Sequence, residues 1–235
     1  MKSWRILFSS LLDLIFPPTC LNCSALLRVE QSFGPICSDC LNQVEINHAF
    51  FQSKDLRRVP AGTNPKFQEA NYPLLAVSNY HCPTTRKLIK DLKFNGRTTI
   101  QPTIKKLLLE YLHFIQLDLS DFIIVPLPLS AKRLRGRGYN QSEIIARSLA
   151  EITKLPVSTK LLIRSKHSRP QSELKSKQDR ITNIQGAFSV GQVDRPANLL
   201  IVDDIFTTGA TINEAVKTLN NFGFKKIVAL VLAKR

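Results

Sequence analysis

From Tyr72 onward the apolar positions alternate between short unbroken runs and a recurrence every three to four residues. Leu74 to Tyr80 predicts a strand, Thr84 to Phe94 and Thr103 to Phe114 predict helices, and Phe122 to Leu127 predicts a buried strand. Gln141 to Thr153 then reads as an amphipathic helix. The end is regular: Asn198 to Val202 strand, Thr211 to Phe222 helix with Gly223 as its stop, Lys226 to Leu232 strand. Such alternation predicts an α/β fold, a parallel sheet with helices on its faces. Ahead of it, Met1 to Pro18 forms an amphipathic pattern, with Trp4, Leu7, Leu11, Leu12 and Ile15 on one face and Pro17-Pro18 as its stop. Gln52 to Glu69 is a polar connection containing Pro60, Gly62 and Pro65. The expected organisation is an N-terminal helix and cysteine module over residues 1–50, a linker over 51–71 and the α/β domain over 72–235.

The strongest chemical signal is the run from Leu199 to Thr211, LLIVDDIFTTGAT. An apolar, β-branched segment suits a strand buried on both faces, and it ends in two adjacent carboxylates followed by a turn rich in hydroxyls and glycine. Asp203 and Asp204 offer acceptors to neighbouring sugar hydroxyls. The backbone N–H groups of Thr207, Thr208, Gly209, Ala210 and Thr211 open a helix whose start suits a phosphate. The loop lacks the GK[ST] of a Walker A, and Gly136 and Gly138 lack the third glycine of a dinucleotide fingerprint. The segment resembles the phosphoribosyl diphosphate (PRPP) motif of type I phosphoribosyltransferases. That resemblance implies Asp203 and Asp204 on the ribose, and Thr207, Thr208, Gly209, Ala210 and Thr211 around the 5′-phosphate, with Mg²⁺ accompanying PRPP.

Charge enlarges the list of partners. With 33 basic against 18 acidic residues the chain carries +15, more than one small metabolite needs, and a polyanion such as nucleic acid becomes a candidate. The cations are grouped. Arg86, Lys87, Lys90, Lys93 and Arg97 follow one predicted helix and its exit, with Phe94 and Tyr139 near in sequence as stacking partners. Lys132, Arg133, Arg135 and Arg137 follow the Pro126-Leu127-Pro128-Leu129-Ser130 exit of a predicted buried strand, where α/β proteins bind ligands. This second group suits a diphosphate or DNA. A third group, with Arg164, Arg169 and Arg180, lies in the long polar stretch from Arg164 to Ala187, whose few apolar anchors fit a functional lid.

Four of the five cysteines stand as Cys20-x-x-Cys23 and Cys37-x-x-Cys40. Each pair can present two thiolates to one tetrahedral ion, and the set predicts a structural zinc with a closed coordination shell; disulfides are the rival reading. His48, His81, His113 and His167 are scattered, with no HExxH or GxSxG pattern anywhere. Asp13 interrupts the N-terminal apolar run and no small-x-small cleavage site follows it, which argues against a signal peptide. No run approaches the roughly 20 apolar residues of a spanning helix, so the expectation is a cytoplasmic protein, with membrane or partner contact by the N-terminal helix left open.

The paired CxxC, PLPLS, RGRGYNQ, RPQSELKSKQDRITNIQGAF and IVDDIFTTGAT, in that order, resemble the ComF (ComFC, GntX-like) family over nearly the whole chain. The resemblance implies a small zinc finger joined to a phosphoribosyltransferase-like domain, and a cytoplasmic factor handling incoming single-stranded DNA, with other DNA-uptake proteins as further partners. Two functions stay open at this point: nucleic-acid binding beside a PRPP site, and PRPP-dependent phosphoribosyl transfer to a nucleobase or related acceptor.

Overall fold

A computed structural model describes residues 17–27, 32–63, 65, 67, 71–95, 98–165, 184–192 and 198–235. Its centre is a six-stranded sheet in the order β2-β1-β3-β8-β7-β4. These strands are β1 (Ala49–Gln52), β2 (Arg58–Pro60), β3 (Pro73–Asn79), β4 (Phe122–Pro126), β7 (Asn198–Phe206) and β8 (Ile227–Lys234). β3, β8, β7 and β4 run parallel, as the alternating pattern predicts. β5 (Leu162–Arg164) and β6 (Phe188–Val190) form a separate antiparallel pair.

β7 explains why the apolar runs are unbroken. Leu199, Leu200, Ile201 and Val202 are all fully buried, because successive side chains point to opposite faces and both faces are covered. Leu200 and Val202 join Val228 and Leu230 in the core on one face, packed against α1 (Ser38–Asn42), α2 (Pro83–Phe94), α3 (Gln101–Ile115) and α5 (Gln141–Thr153). Leu199 and Ile201 join Ala229 and Val231 in the core on the other, under α6 (Ala210–Phe222) and the β5–β6 pair.

Several expectations need correction. β7 does not end at Val202; it continues through both acids to Phe206, with Asp203 opposite Val231 and Ile205 opposite Ala233. Residues 51–71, expected as a linker, instead contribute the end of β1 and all of β2 to the sheet edge, antiparallel to their neighbours. The sheet is therefore mixed. β2 escaped notice because only Val59 of its three residues is buried, as suits an edge strand.

The cysteine module is not a separate body either. Cys20, Ile36, Cys40 and Leu41 share the core of Leu75 and Leu230, and Lys87 of α2 donates to the Asn22 carbonyl oxygen at 2.7 Å. Gly34 allows this docking. Its φ is +67°, and a Cβ there would lie 2.0 Å from the Thr99 carbonyl oxygen, so only glycine fits. The Met1 to Pro18 helix expectation falls almost entirely outside the described residues, as do Arg97, Arg169 and Arg180. Among the described residues no helix is long and apolar enough to cross a membrane.

Candidate ligand cavity and cysteine centre

At the carboxyl ends of the parallel strands lies a cavity of about 490 Å³. Asp203, Asp204, Thr207, Gly209, Ala210 and Thr211 line it, joined by Arg133, Arg137, Arg164 and Lys93. Four segments far apart in sequence are thus brought to one place. Thr208 is the exception among the loop residues: it lines a neighbouring cavity with Lys54, Glu214 and Lys217.

The two acids differ because strand geometry separates them. Asp204 has the parity of Leu200 and Val202, so it looks toward α2, where Lys93 Nζ lies 3.1 Å from its Oδ2. Its side chain is only 4% exposed, and the ion pair is what makes a buried carboxylate tolerable. Asp203 Oδ1 accepts from Ser142 Oγ at 2.8 Å and from the Asp204 N–H at 2.9 Å. Burial, reinforced by the neighbouring Asp204 charge, pushes its pKa up to about 7. Asp203 therefore sits near its titration point at neutral pH, and both acids hold acceptor oxygens in place for hydroxyl donors.

The loop after β7 is built for close approach. Gly209 has φ +74° and caps α6, and a Cβ on it would lie 2.5 Å from Phe206 Cζ. The helical ladder begins only with Asn213 N–H donating to the Gly209 carbonyl at 2.8 Å, so the N–H groups of the turn before it fall in the part of the helix that attracts anions.

The cations divide by helical phase. α4 (Ala131–Arg137) is a short helix in spite of its internal Gly136. The Ser130 hydroxyl caps it, accepting from Arg133 N–H at 3.4 Å, and Gly138 closes it in the left-handed conformation. Four residues apart, Arg133 and Arg137 share one face and line the cavity, while Lys132 and Arg135 are exposed elsewhere. Arg137 donates to Gln141 Oε1 at 3.0 Å and its guanidinium stands 5.6 Å from the centre of the Phe94 ring. The Tyr139 hydroxyl donates to the Leu92 carbonyl at 2.8 Å, fastening the chain after α4 to α2. Arg164, expected on a nucleic-acid surface, reaches the cavity from β5; burial, then repulsion from Arg133, lowers its pKa to about 10. Lys93 is likewise in the cavity, whereas Arg86 and Lys90 are exposed along α2.

Sequence reasoning missed Tyr80, Phe206 and Arg235 as cavity residues and Ser142 as the partner of Asp203. None carries a local signal, since each arrives through sheet order or helix placement.

The four cysteines converge. Their ligand atoms lie within 4.8 Å of one another, and the Cys23 and Cys37 sulfurs are 3.8 Å apart. Tetrahedral ligands at a Zn–S distance of about 2.3 Å are about 3.8 Å apart, so the cluster fits a metal such as zinc and is far too open for a disulfide. Cys37 N–H donates to Cys20 Sγ at 3.5 Å and Asn22 Nδ2 to Cys40 Sγ at 3.4 Å. Such donors stabilise thiolates around a cation.

A mostly parallel sheet carrying an acid pair, a glycine-capped turn and facing arginines is the arrangement of a phosphoribosyltransferase-type domain, and the family model described as "Phosphoribosyl transferase domain" matches residues 136–235. The chain is also 29% identical over 226 residues to competence protein F of Haemophilus influenzae, covering 92% of this chain and 96% of that protein. It is 28% identical over 204 residues to the DNA utilization protein YhgH of Escherichia coli K12, covering 85% and 83%. To competence protein ComFC of Streptococcus pneumoniae it is 26% identical over 223 residues, covering 92% and 95%. The chain is thus similar over most of its length to proteins named competence protein F and ComFC, with the phosphoribosyl transferase match confined to residues 136–235.

Proposed function

We propose that this chain serves natural transformation, handling incoming single-stranded DNA in the cytoplasm with a cavity that holds PRPP or a related phosphoribosyl ligand. The observation that carries this reading is the convergence of six of the loop-and-acid residues with Lys93, Arg133, Arg137 and Arg164 in one cavity. Asp203 and Asp204 accept the ribose hydroxyls, the turn from Thr207 to Thr211 seats the 5′-phosphate, and Arg133 and Arg137 meet the diphosphate. The competence and DNA-utilization names of the relatives, together with the +15 charge, support the DNA partner. Mg²⁺ would enter with the diphosphate, since two carboxylates alone do not form a cage for it; bound there, it neutralises phosphate charge. Zinc at Cys20, Cys23, Cys37 and Cys40 is structural, with no open position for chemistry.

The arginines beside the acid pair also favour a second reading, phosphoribosyl transfer to a nucleobase or related acceptor with diphosphate as leaving group. Calorimetry with PRPP, with and without Mg²⁺, tests the first reading: binding by the wild type and none by Asp203→Ala/Asp204→Ala supports it, and equal binding by both overturns it. Pyrophosphate release in the presence of acceptor bases tests the second.

A further inference from the structure

α2 leads a line of exposed side chains to the mouth of the cavity. Arg86, Lys90 and Phe94 recur every four residues and are all exposed, so they form one row down the helix with about 6 Å per step. The only acid of α2, Asp91, is buried; the outward face of the helix is therefore purely cationic until it ends in an aromatic ring. That ring is 74% exposed, the most open of the large hydrophobic side chains among the described residues, yet Phe94 also forms part of the cavity wall and has the Arg137 guanidinium over it. Immediately before it in sequence, Lys93 turns inward to Asp204.

An open phenyl face at the rim of a polar cavity suits a planar, electron-rich ring joined to an anion, and a row of cations leaving that rim suits a continuing polyanion. The geometry points to the cavity as a strand-end site: it takes the 5′-phosphorylated terminal nucleotide of a single DNA strand, with the base on Phe94 and the following phosphates along Lys90 and Arg86. This rests on the reading of the cavity as a sugar-phosphate site and deepens it. The terminal phosphate sits at the turn from Thr207 to Thr211. The base then projects toward Arg137, over the ground that a diphosphate would use. The deoxyribose offers Asp203 and Asp204 no free hydroxyl, so the strand is held by its 5′-phosphate and its base, and Lys93 beside Asp204 offsets the repulsion between that carboxylate and the next phosphate. The terminal nucleotide and PRPP are consequently alternative occupants, and the protein holds one or the other.

The test is fluorescence anisotropy of an oligodeoxynucleotide labelled at its 3′ end, prepared with either a 5′-phosphate or a 5′-hydroxyl, at fixed low salt. The phosphorylated strand is expected to bind about tenfold more tightly, and saturating PRPP to weaken it at least tenfold. Phe94→Ala should remove about tenfold of the strand affinity, as loss of one base stack does, and Phe94→Trp should restore it. Arg86→Gln/Lys90→Gln should weaken long strands more than a nucleoside 5′-monophosphate. Equal binding of the two ends, undiminished by PRPP, overturns the strand-end site while leaving DNA binding intact. Absence of any strand binding by the wild type overturns the DNA reading and this inference together. If calorimetry shows that PRPP itself does not bind, the 5′-phosphate preference and the Phe94 variants decide the matter alone: both must hold, and failure of either sinks the proposal.

Discussion

Lys93 Nζ stands 3.1 Å from Asp204 Oδ2, tying the last turn of α2 to the second acid of β7. The pair is more than a surface contact, since the side chains are 25% and 4% exposed. Removing the lysine strands a buried carboxylate, which costs several kcal/mol in fully buried pairs; with the ammonium partly solvated, Lys93→Met should cost about 1–3 kcal/mol. The double variant Lys93→Met/Asp204→Asn should regain most of that loss, because no charge is left uncompensated. Urea unfolding at neutral pH reads both values, and a single variant as stable as the wild type would show that the pair contributes nothing.

The pKa of Asp203 carries a pH signature. Its folded value is raised to about 7, by burial first and by the Asp204 charge second, against about 3.9 in an unfolded chain. Between those values the native state binds more protons than the unfolded one, so this group makes stability fall as pH rises from about 4 to about 7, by up to ~1.4 kcal/mol per unit. Asp203→Asn should flatten that part of the profile. Ligand binding should run the other way: the ionised carboxylate is the better acceptor, and PRPP affinity should increase from pH 6 to pH 8. Stability curves and calorimetry across this range check the two slopes; a wild-type stability profile identical to that of Asp203→Asn would contradict the assignment.

Much of this was legible in the sequence. The run from Leu199 to Val202 had to be a doubly buried strand, and Gly223 had to end the helix after it, because those signals are local. The acids defeated the boundary, since two adjacent carboxylates read as the end of a strand, yet Asp203 and Ile205 still pair with β8. The inward turn of Lys93, which the sequence groups with the outward cations, was hidden for a different reason. A lysine on an amphipathic helix reads as solvated, and only the packing of α2 against the sheet turns it toward Asp204. Arg-rich residues 131–137 with an internal Gly136 likewise hid a helix that the Ser130 cap makes possible.

Gly209 should tolerate no side chain. Its φ of +74° is unfavourable for alanine, and the added Cβ would lie 2.5 Å from Phe206 Cζ. Gly209→Ala should destabilise the chain by about 1–3 kcal/mol and, by shifting the turn, abolish the stabilisation that PRPP gives. Thermal unfolding with and without PRPP measures both effects; an unchanged ligand shift would mean that the turn does not seat the phosphate.

The purified chain should carry about one zinc, and Cys23→Ser should reduce that content. The sequence suggests that metal loss would unfold mainly the N-terminal module. The shared core of Cys20 and Cys40 with Leu75 and Leu230 argues otherwise: chelation should lower the melting temperature of the whole chain in one transition. Elemental analysis and calorimetry decide this, and a chain of full stability without metal would refute a structural zinc.

The last prediction separates the two uses of the cations after β4. Arg133 and Arg137 line the cavity while Lys132 and Arg135 do not, although all four fall within seven residues of one helix. Arg133→Gln/Arg137→Gln should therefore weaken PRPP by at least tenfold, through loss of charge-assisted contacts to the diphosphate. Lys132→Gln/Arg135→Gln should leave PRPP affinity unchanged. If these outward cations meet the backbone of a single strand, each accounts for a log–log salt slope of roughly −0.7, and their joint loss should flatten the slope by about 1.4. Calorimetry for PRPP and anisotropy over a salt series for DNA give the two readouts independently. Equal effects of the two double variants on both ligands would show that the helical phase of α4 does not sort its charges, and the division drawn from the cavity would fall.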